Sequence, residues 1–190
     1  LARAELTVPV AERVEPQGVT LPFTAEAARR VADTLSALRP RPRIAAVVLL
    51  HAYRHPAHER LLRDTIREHM PDLEVVLSSD VYPEVREYER AATTVAEAYL
   101  RPGVSGYLQN LRNRLAKDST VGRAGVMTSN GGMRGIEEAA ESAAQLALSG
   151  PAGGVVGAAA VARDLRIARA LTIDIGGTSA DVGLVLGGRA

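Results

Sequence analysis

Strand-length apolar runs alternate with helix-length amphipathic segments along most of the chain. This rhythm predicts an α/β fold, a mixed sheet flanked by helices. Two observations refine it. Residues 44–50 are continuously apolar, as in a strand covered on both faces of a parallel sheet. Residues 170–173 and 181–186 are apolar runs joined by a glycine turn with no helix between them, so a new sheet, and the start of a second lobe, is expected near Ala170.

The elements follow in order. Residues 8–14 read as a short strand or extended arm. Over 24–38, Ala27, Ala28, Val31, Leu35 and Leu38 recur at helical spacing behind Thr24, which can cap the helix. Arg39-Pro40-Arg41-Pro42 ends it, because proline cannot continue a helix. The strand 44–50 leads to a helix over 56–70, with Pro56 in its first turn and Leu61, Leu62 and Ile66 inward. Residues 74–77 form the next strand, and a long helix spans 84–116, bent near Pro102-Gly103. A third strand covers 123–128 and ends in Ser129-Asn130-Gly131-Gly132. Helices over 136–148 and 151–165 precede the terminal strands. The second is rich in small residues, with Ser149 as its cap and Pro151 in its first turn.

Composition narrows the function classes. A chain of 190 residues with 46% hydrophobic content can bury a core, but only 3% is aromatic, so packing must rely on Ala, Val and Leu and on close backbone approach. A net charge of +1 lacks the basic excess that nucleic-acid binding needs. No apolar run is long enough to span a membrane, no secretory signal opens the chain, and the absence of cysteine excludes disulfides and thiolate metal sites. A cytoplasmic protein, with neither membrane nor nucleic acid as partner, is expected. The chain begins at Leu1 and stops at Ala190 directly after a strand. A two-stranded sheet is marginal alone, so the sequence reads as an internal fragment cut within a domain.

The sharpest motif is Asp174-Ile175-Gly176-Gly177-Thr178-Ser179-Ala180-Asp181. Consecutive glycines can take φ > 0 and carry no Cβ, so a phosphate can approach their backbone and bind the amides as a nest. Thr178 and Ser179 add hydroxyl donors. Asp174, at the end of the first strand, can hold Mg²⁺ through water, since magnesium prefers oxygen ligands and keeps several waters. Asp181 can support the turn or the metal water. The plainer reading is an ordinary hairpin with a Gly-Gly turn. No Gly-Lys-Ser/Thr follows, so this is not a P-loop, and a strand follows where a dinucleotide fingerprint needs a helix.

The hairpin resembles the phosphate motif of the actin-like ATPase superfamily, a ribonuclease H-like fold. Ser149-Gly150-Pro151-Ala152-Gly153-Gly154-Val155-Val156-Gly157-Ala158-Ala159-Ala160 resembles the small-residue helix that connects the two lobes of those ATPases. A narrower likeness lies upstream. Leu49-Leu50-His51-Ala52-Tyr53-Arg54-His55-Pro56-Ala57-His58-Glu59 and the run from Arg86-Glu87-Tyr88-Glu89-Arg90 to Tyr99 are similar to signatures of the hydantoinase A and 5-oxoprolinase family. The Asn130 loop, the Ser149 segment and the Asp174 hairpin follow in that family's order.

The resemblance implies that residues 1–148 are the remainder of a first lobe, 149–169 the connecting helix, and 170–190 the first hairpin of a second lobe. It also implies ATP and Mg²⁺ as cofactors and an ATP-dependent opening of a cyclic amide such as a hydantoin or 5-oxoproline. A hydantoinase B-type partner subunit and an oligomer are implied as well. Ketone carboxylase subunits and a non-catalytic, chaperone-like ATPase are the alternatives. The family's earlier Asp-Gly-Gly-Thr hairpin is not found before residue 174, so the piece alone is expected to be inactive.

Three other candidates carry two readings each. Asn130 can bind substrate or phosphate, with Gly131 and Gly132 allowing close approach, or it can belong to a turn with Asn and Gly in left-handed conformation. His51, His55, His58 and Glu59 are suitable zinc ligands, but their spacing crosses a strand end and a helix start, so turn and helix-start hydrogen bonds are preferred. Arg86 to Arg90 reads as a solvated helix face with ion pairs, or as a substrate or subunit contact.

Overall fold

Helix α1, Ala25–Ala37, forms as its sequence predicts: the Thr24 hydroxyl accepts from the Ala27 amide at 3.2 Å, and Ala28, Ala32 and Leu35 form its buried stripe. The computed structural model describes residues 3–117 and 124–189. Leu1, Arg123 and Ala190 lie outside them. Compactness divides the chain into two units, Leu1–Pro102 and Gly103–Ala190.

In the first unit, β1 (Arg13–Glu15) and β2 (Gly18–Leu21) make a short antiparallel hairpin before α1. Strand β3 (Ile44–Val47), helix α2 (Ala57–His69) and strand β4 (Glu74–Leu77) form a βαβ unit with parallel pairing from Ile44↔Glu74 to Val47↔Leu77. A one-turn helix, α3 (Ser78–Val81), follows, and then α4 (Glu87–Leu115), which crosses the division between the units. Ala28, Ala32 and Leu35 of α1 meet Leu62 and Ile66 of α2 and Val75 and Leu77 of β4 in one core.

The most demanding feature of this unit is buried charge. Glu59 and Arg90 each have no exposed surface. The Glu59 carboxylate accepts from the Leu49 amide at 2.9 Å, the Ser78 hydroxyl at 2.6 Å and the Ser79 amide at 2.9 Å. Arg90 donates to Ser78 Oγ at 3.1 Å, the Leu49 carbonyl at 2.7 Å and the Glu84 carbonyl at 3.0 Å. Its guanidinium also lies over the Tyr53 ring at 5.7 Å. This explains why β3 stops at Val47 although the apolar run continues to Leu50. The amide and carbonyl of Leu49 are taken by side chains, leaving no ladder to extend.

In the second unit, β5 (Gly125–Met127) and β6 (Met133–Gly135) form an antiparallel hairpin. Helix α5 (Ile136–Ala140) and a 3₁₀ turn at Ala143–Leu146 follow where one longer helix is expected. Helix α6 (Ser149–Asp164) then packs on the hairpin of β7 (Arg169–Ile175) and β8 (Ala180–Leu186) through Val155, Ala158, Ala159 and Ala162 against Ala170 and Val185. Ser149 is the first residue of α6 and not its cap. Leu148 holds that position in left-handed conformation with φ 60°, and no side chain caps the helix.

The elements are α/β, but the single mixed sheet expected from the sequence is absent among the described residues. Four separate two-stranded sheets stand in its place. β1–β2 and β5–β6 are strands of three or four residues closed by their own turns. Each pairs only with its sequence neighbour among the described residues.

Two stability predictions follow from this packing. Arg90→Met removes the buried guanidinium that bonds Ser78 Oγ and the Leu49 carbonyl and pairs with Glu87 at 3.7 Å, and should lower unfolding stability by about 3–5 kcal/mol in chemical denaturation; a loss below about 1 kcal/mol would show that the network fastens nothing. At Gly183, a Cβ would sit inside van der Waals contact of Val155 and of the Thr172 hydroxyl. Gly183→Ala should therefore cost about 1–3 kcal/mol, and Val155→Ala in the same chain should recover part of it, read from the shift of the denaturation midpoint.

Candidate functional site

The terminal hairpin brings its two acidic residues together. Asp174 pairs directly with Asp181 across the strands, and the pair beyond it is Ile175↔Ala180. Directly opposed like charges destabilise a hairpin, and both aspartates are exposed, so the arrangement is suited to a cation placed between or above them. Magnesium fits this donor set, since it takes one or two carboxylates and fills its shell with water and phosphate oxygens.

The tip, Gly176 to Ser179, is exposed. Its Gly176 amide donates to the Ser179 carbonyl at 2.9 Å and closes the loop, whereas the amides of Gly177, Thr178 and Ser179 donate to no group of the described chain. The tip amides without a partner among the described residues are thus those of Gly177, Thr178 and Ser179, and not that of Gly176. Neither glycine needs positive φ, in contrast to the expectation from sequence. A Cβ on Gly177 would meet nothing within 4 Å, and one on Gly176 only the Ser179 carbonyl at 3.6 Å. The chain's own packing therefore does not require these glycines. An external group approaching the backbone would.

The Asn130 loop closes the β5–β6 hairpin. Asn130 Oδ1 accepts from the Thr128 hydroxyl at 2.5 Å and from the Gly132 amide at 3.1 Å, so this oxygen is committed to its own turn. Gly131 alone takes the left-handed conformation, at φ 79°. Asn130 is exposed, which leaves its amide nitrogen as the group facing outward.

Helix α6 holds both loops. A Cβ on Gly131 would meet Val156, and one on Gly183 would meet Val155, the preceding residue of the same helix. At the far end Gly188 lies against Arg163. The contacts run from Arg163 at the base of the hairpin to Val155 further along it. The tip of the hairpin and the start of α6 therefore point the same way, and the Asn130 loop borders the same half of the helix. The first amides of α6, without a side-chain cap, add partial positive charge at that end.

The histidines of the first unit do different work. His58 accepts the Phe23 amide on Nε2 at 3.3 Å, which places the ring proton on Nδ1, 2.6 Å from Glu12. It thereby ties the arm before β1 to the start of α2. Among the described residues there is no group of three His, Cys, Asp or Glu side chains placed to hold a metal, and His51 Nδ1 and His55 Nε2 are buried without the hydrogen bonds expected of them. A cleft of about 610 Å³ beside them is lined by Val14, Val19, His55, Arg60 and Asp64, among others. The Asp64 carboxyl there lies below its ordinary value because Arg63 donates to it at 2.8 Å.

The Arg86–Arg90 segment corrects its plainer reading in part. Arg86 and Glu89 do form an exposed pair at 3.4 Å, but Arg90 is fully buried. Sequence reasoning missed the Glu59–Ser78–Arg90 network. The signal was available: a Glu in the first turn of α2 and an Arg on a helix face otherwise flanked by Ala and Thr.

Comparison with known proteins places this geometry in context. The sequence pattern of the hydantoinase/oxoprolinase family matches residues 90–190. The chain is 33% identical over 144 residues to caprolactamase subunit alpha of Pseudomonas jessenii, covering 76% of this chain and 21% of that one. To 5-oxoprolinase of Saccharomyces cerevisiae it is 37% identical over 140 residues, covering 72% and 10%. Its fold superposes on a nucleotide-free structure of acetone carboxylase, an enzyme of ATP-dependent acetone carboxylation, with a TM-score of 0.80 and 32% identity, over 94% of this chain and 25% of that one. The chain thus spans about a quarter or less of the proteins it matches. With a family pattern over more than half its length and the Asp174 hairpin, the Asn130 loop and α6 inside it, the chain belongs to the hydantoinase/oxoprolinase family.

Proposed function

We propose that this chain is part of an ATP-dependent hydrolase of cyclic amides, in which the Asp174 hairpin binds the nucleotide's phosphates. The observation that carries the reading is the hairpin itself. It has two facing carboxylates, an exposed tip with three undirected amides, and two glycines that nothing within the chain requires.

In this reading Asp174 would hold Mg²⁺ through water, and Asp181 would support the turn or the metal's water. Gly176 and Gly177 give phosphate room to approach, while the amides of Gly177, Thr178 and Ser179 and the two hydroxyls donate to its oxygens. Asn130, with Gly131 and Gly132, presents its amide nitrogen to substrate or phosphate. An amide carbonyl is a poor electrophile. Transfer of the γ-phosphoryl group to its oxygen releases ADP and makes the carbon open to water. Water adds to that carbon, the C–N bond breaks with the ring nitrogen leaving as the amine, and hydrolysis of the resulting acyl phosphate releases phosphate, so each turnover consumes ATP and water at both the addition and the final hydrolysis. Phosphoryl transfer needs chiefly positioning and charge neutralisation, which this hairpin is suited to give.

The larger frame is an actin-like ATPase, with residues 1–148 from the first lobe, 149–169 as connection and 170–190 opening the second. The hairpin's outer face supports that division: Leu171, Ile173, Val182 and Leu184 are all more than half exposed, as expected of the first strands of a larger sheet. A hydantoinase B-type partner subunit, an oligomeric assembly and a cytoplasmic setting belong to the same proposal. The relative called subunit alpha supports the first of these. No helix among the described residues is long and apolar enough to cross a membrane. Acetone carboxylase among the relatives favours a second reading, ATP-dependent activation of a ketone for carboxylation.

The test uses the full-length protein with its partner. Asp174→Ala should reduce ATP-dependent ring opening by at least about a hundredfold, as expected for loss of a group that neutralises transition-state charge, with an unchanged circular-dichroism spectrum. Normal turnover in that variant would end the metal role. Ring opening of hydantoin or 5-oxoproline, against bicarbonate-dependent consumption of a ketone, separates the two chemistries.

A further inference from the structure

Helix α4 contains three residues that weaken helices, and the structure requires neither of its two glycines. Pro102 lies inside the helix, where it has no amide for the carbonyl one turn earlier, at Ala98. Gly103 and Gly106 follow, both exposed. A glycine within a helix is usually explained by close packing or by positive φ. A Cβ on either would meet nothing within 4 Å, and neither has positive φ. Each is therefore a site where alanine would fit and strengthen the helix.

The residues on either side are anchored separately. Before the proline, Ala98 and Glu97 are buried, and Arg101 bonds Glu97 at 2.9 Å. After it, Leu108 is buried with Ile136 and Ala139 of α5, and the Ser105 hydroxyl donates to the Ala140 carbonyl at 2.9 Å. The division of the chain into compact units falls between Pro102 and Gly103. The weakest helical stretch thus coincides with the change from one set of anchors to the other.

We propose that Pro102–Gly106 is a hinge, at which α4 opens and re-forms during the catalytic cycle. Hinge positions absorb backbone change at a few residues far from the chemistry. Here the sequence lowers local helix stability at one point and keeps both flanks tied. The part of the inference that concerns the cycle rests on the ATP-dependent reading above; the hinge itself does not.

Amide hydrogen exchange on the full-length protein tests it. Amides of residues 103–106 should exchange at least on the order of a hundredfold faster than those of 94–98. The double variant Gly103→Ala with Gly106→Ala should slow the 103–106 set by about tenfold or more. Because alanine strengthens the helix, failure to fold is no obstacle. Equal protection of 103–106 and 94–98, or rates unmoved by the substitutions, would overturn the hinge. In the ATP-turnover assay the same variant should fall several-fold in kcat with KM for ATP unchanged; an unaltered kcat would remove its part in the cycle. Absence of ATP turnover in the unsubstituted protein would instead sink the functional reading and leave the hinge to be decided by exchange.

Discussion

The first unit depends on how the Glu59 carboxylate and the Arg90 guanidinium are satisfied without water. Burial of either charge alone would cost several kcal/mol, about what a small domain has to spare. Here every short contact is a hydrogen bond. Ser78 donates to Glu59 and accepts from Arg90, and Leu49 gives its amide to one and its carbonyl to the other. Four segments are joined at this point: the stretch just after β3, the first turn of α2, the start of α3 directly after β4, and the first turn of α4. Because the partners are backbone groups at strand ends, the network also sets where the strands stop. Hydrophobic burial can hold α1 on α2 with many pairings of similar energy, whereas a charged network tolerates one register.

The second unit solves the opposite problem, close approach without charge. With few aromatic residues the chain must pack backbone against backbone, and α6 does so through Ala158, Ala159 and Ala162 and the glycine at 183. Val155 and Val156 then project to different neighbours, one to the terminal hairpin and one to the Asn130 loop. The position of both loops is thus inherited from one rigid helix, so their mutual geometry depends on α6 and not on loop conformation.

Much of this was legible in the sequence, and the parts that were not share a cause. Amphipathic periodicity located α1 and α2 to within a residue or two, and Thr24 and Pro56 marked their starts. The Asp174 hairpin was plain from its two apolar runs. The extent of β3 was not, because an apolar run says where a strand is favourable and not where its hydrogen bonds are diverted by Glu59 and Arg90. β5 falls within the strand expected over 123–128, whereas strands of three or four residues such as β2 and β6 carry too little periodicity to be seen. Cap identity failed at Leu148, where backbone geometry overrides the usual preference for Ser149. At Gly176 and Gly177 the sequence suggested left-handed turns; the structure leaves the lack of a Cβ as their only use.

That last contrast also separates structural from functional polar groups. Glu59, Arg90, His58 and the Asn130 carbonyl have their partners within the chain, and their chemistry is spent on holding it together. Asp174, Asp181, and the amides of Gly177, Thr178 and Ser179 are arranged close to one another with their capacity unused, at the end of a hairpin whose register opposes two like charges. Such an arrangement is unfavourable for the isolated fold and offers no packing in return. In the proposed reading a cation relieves the repulsion of the aspartates and an oxyanion accepts from the amides, and a metal-bound phosphate would supply both at once.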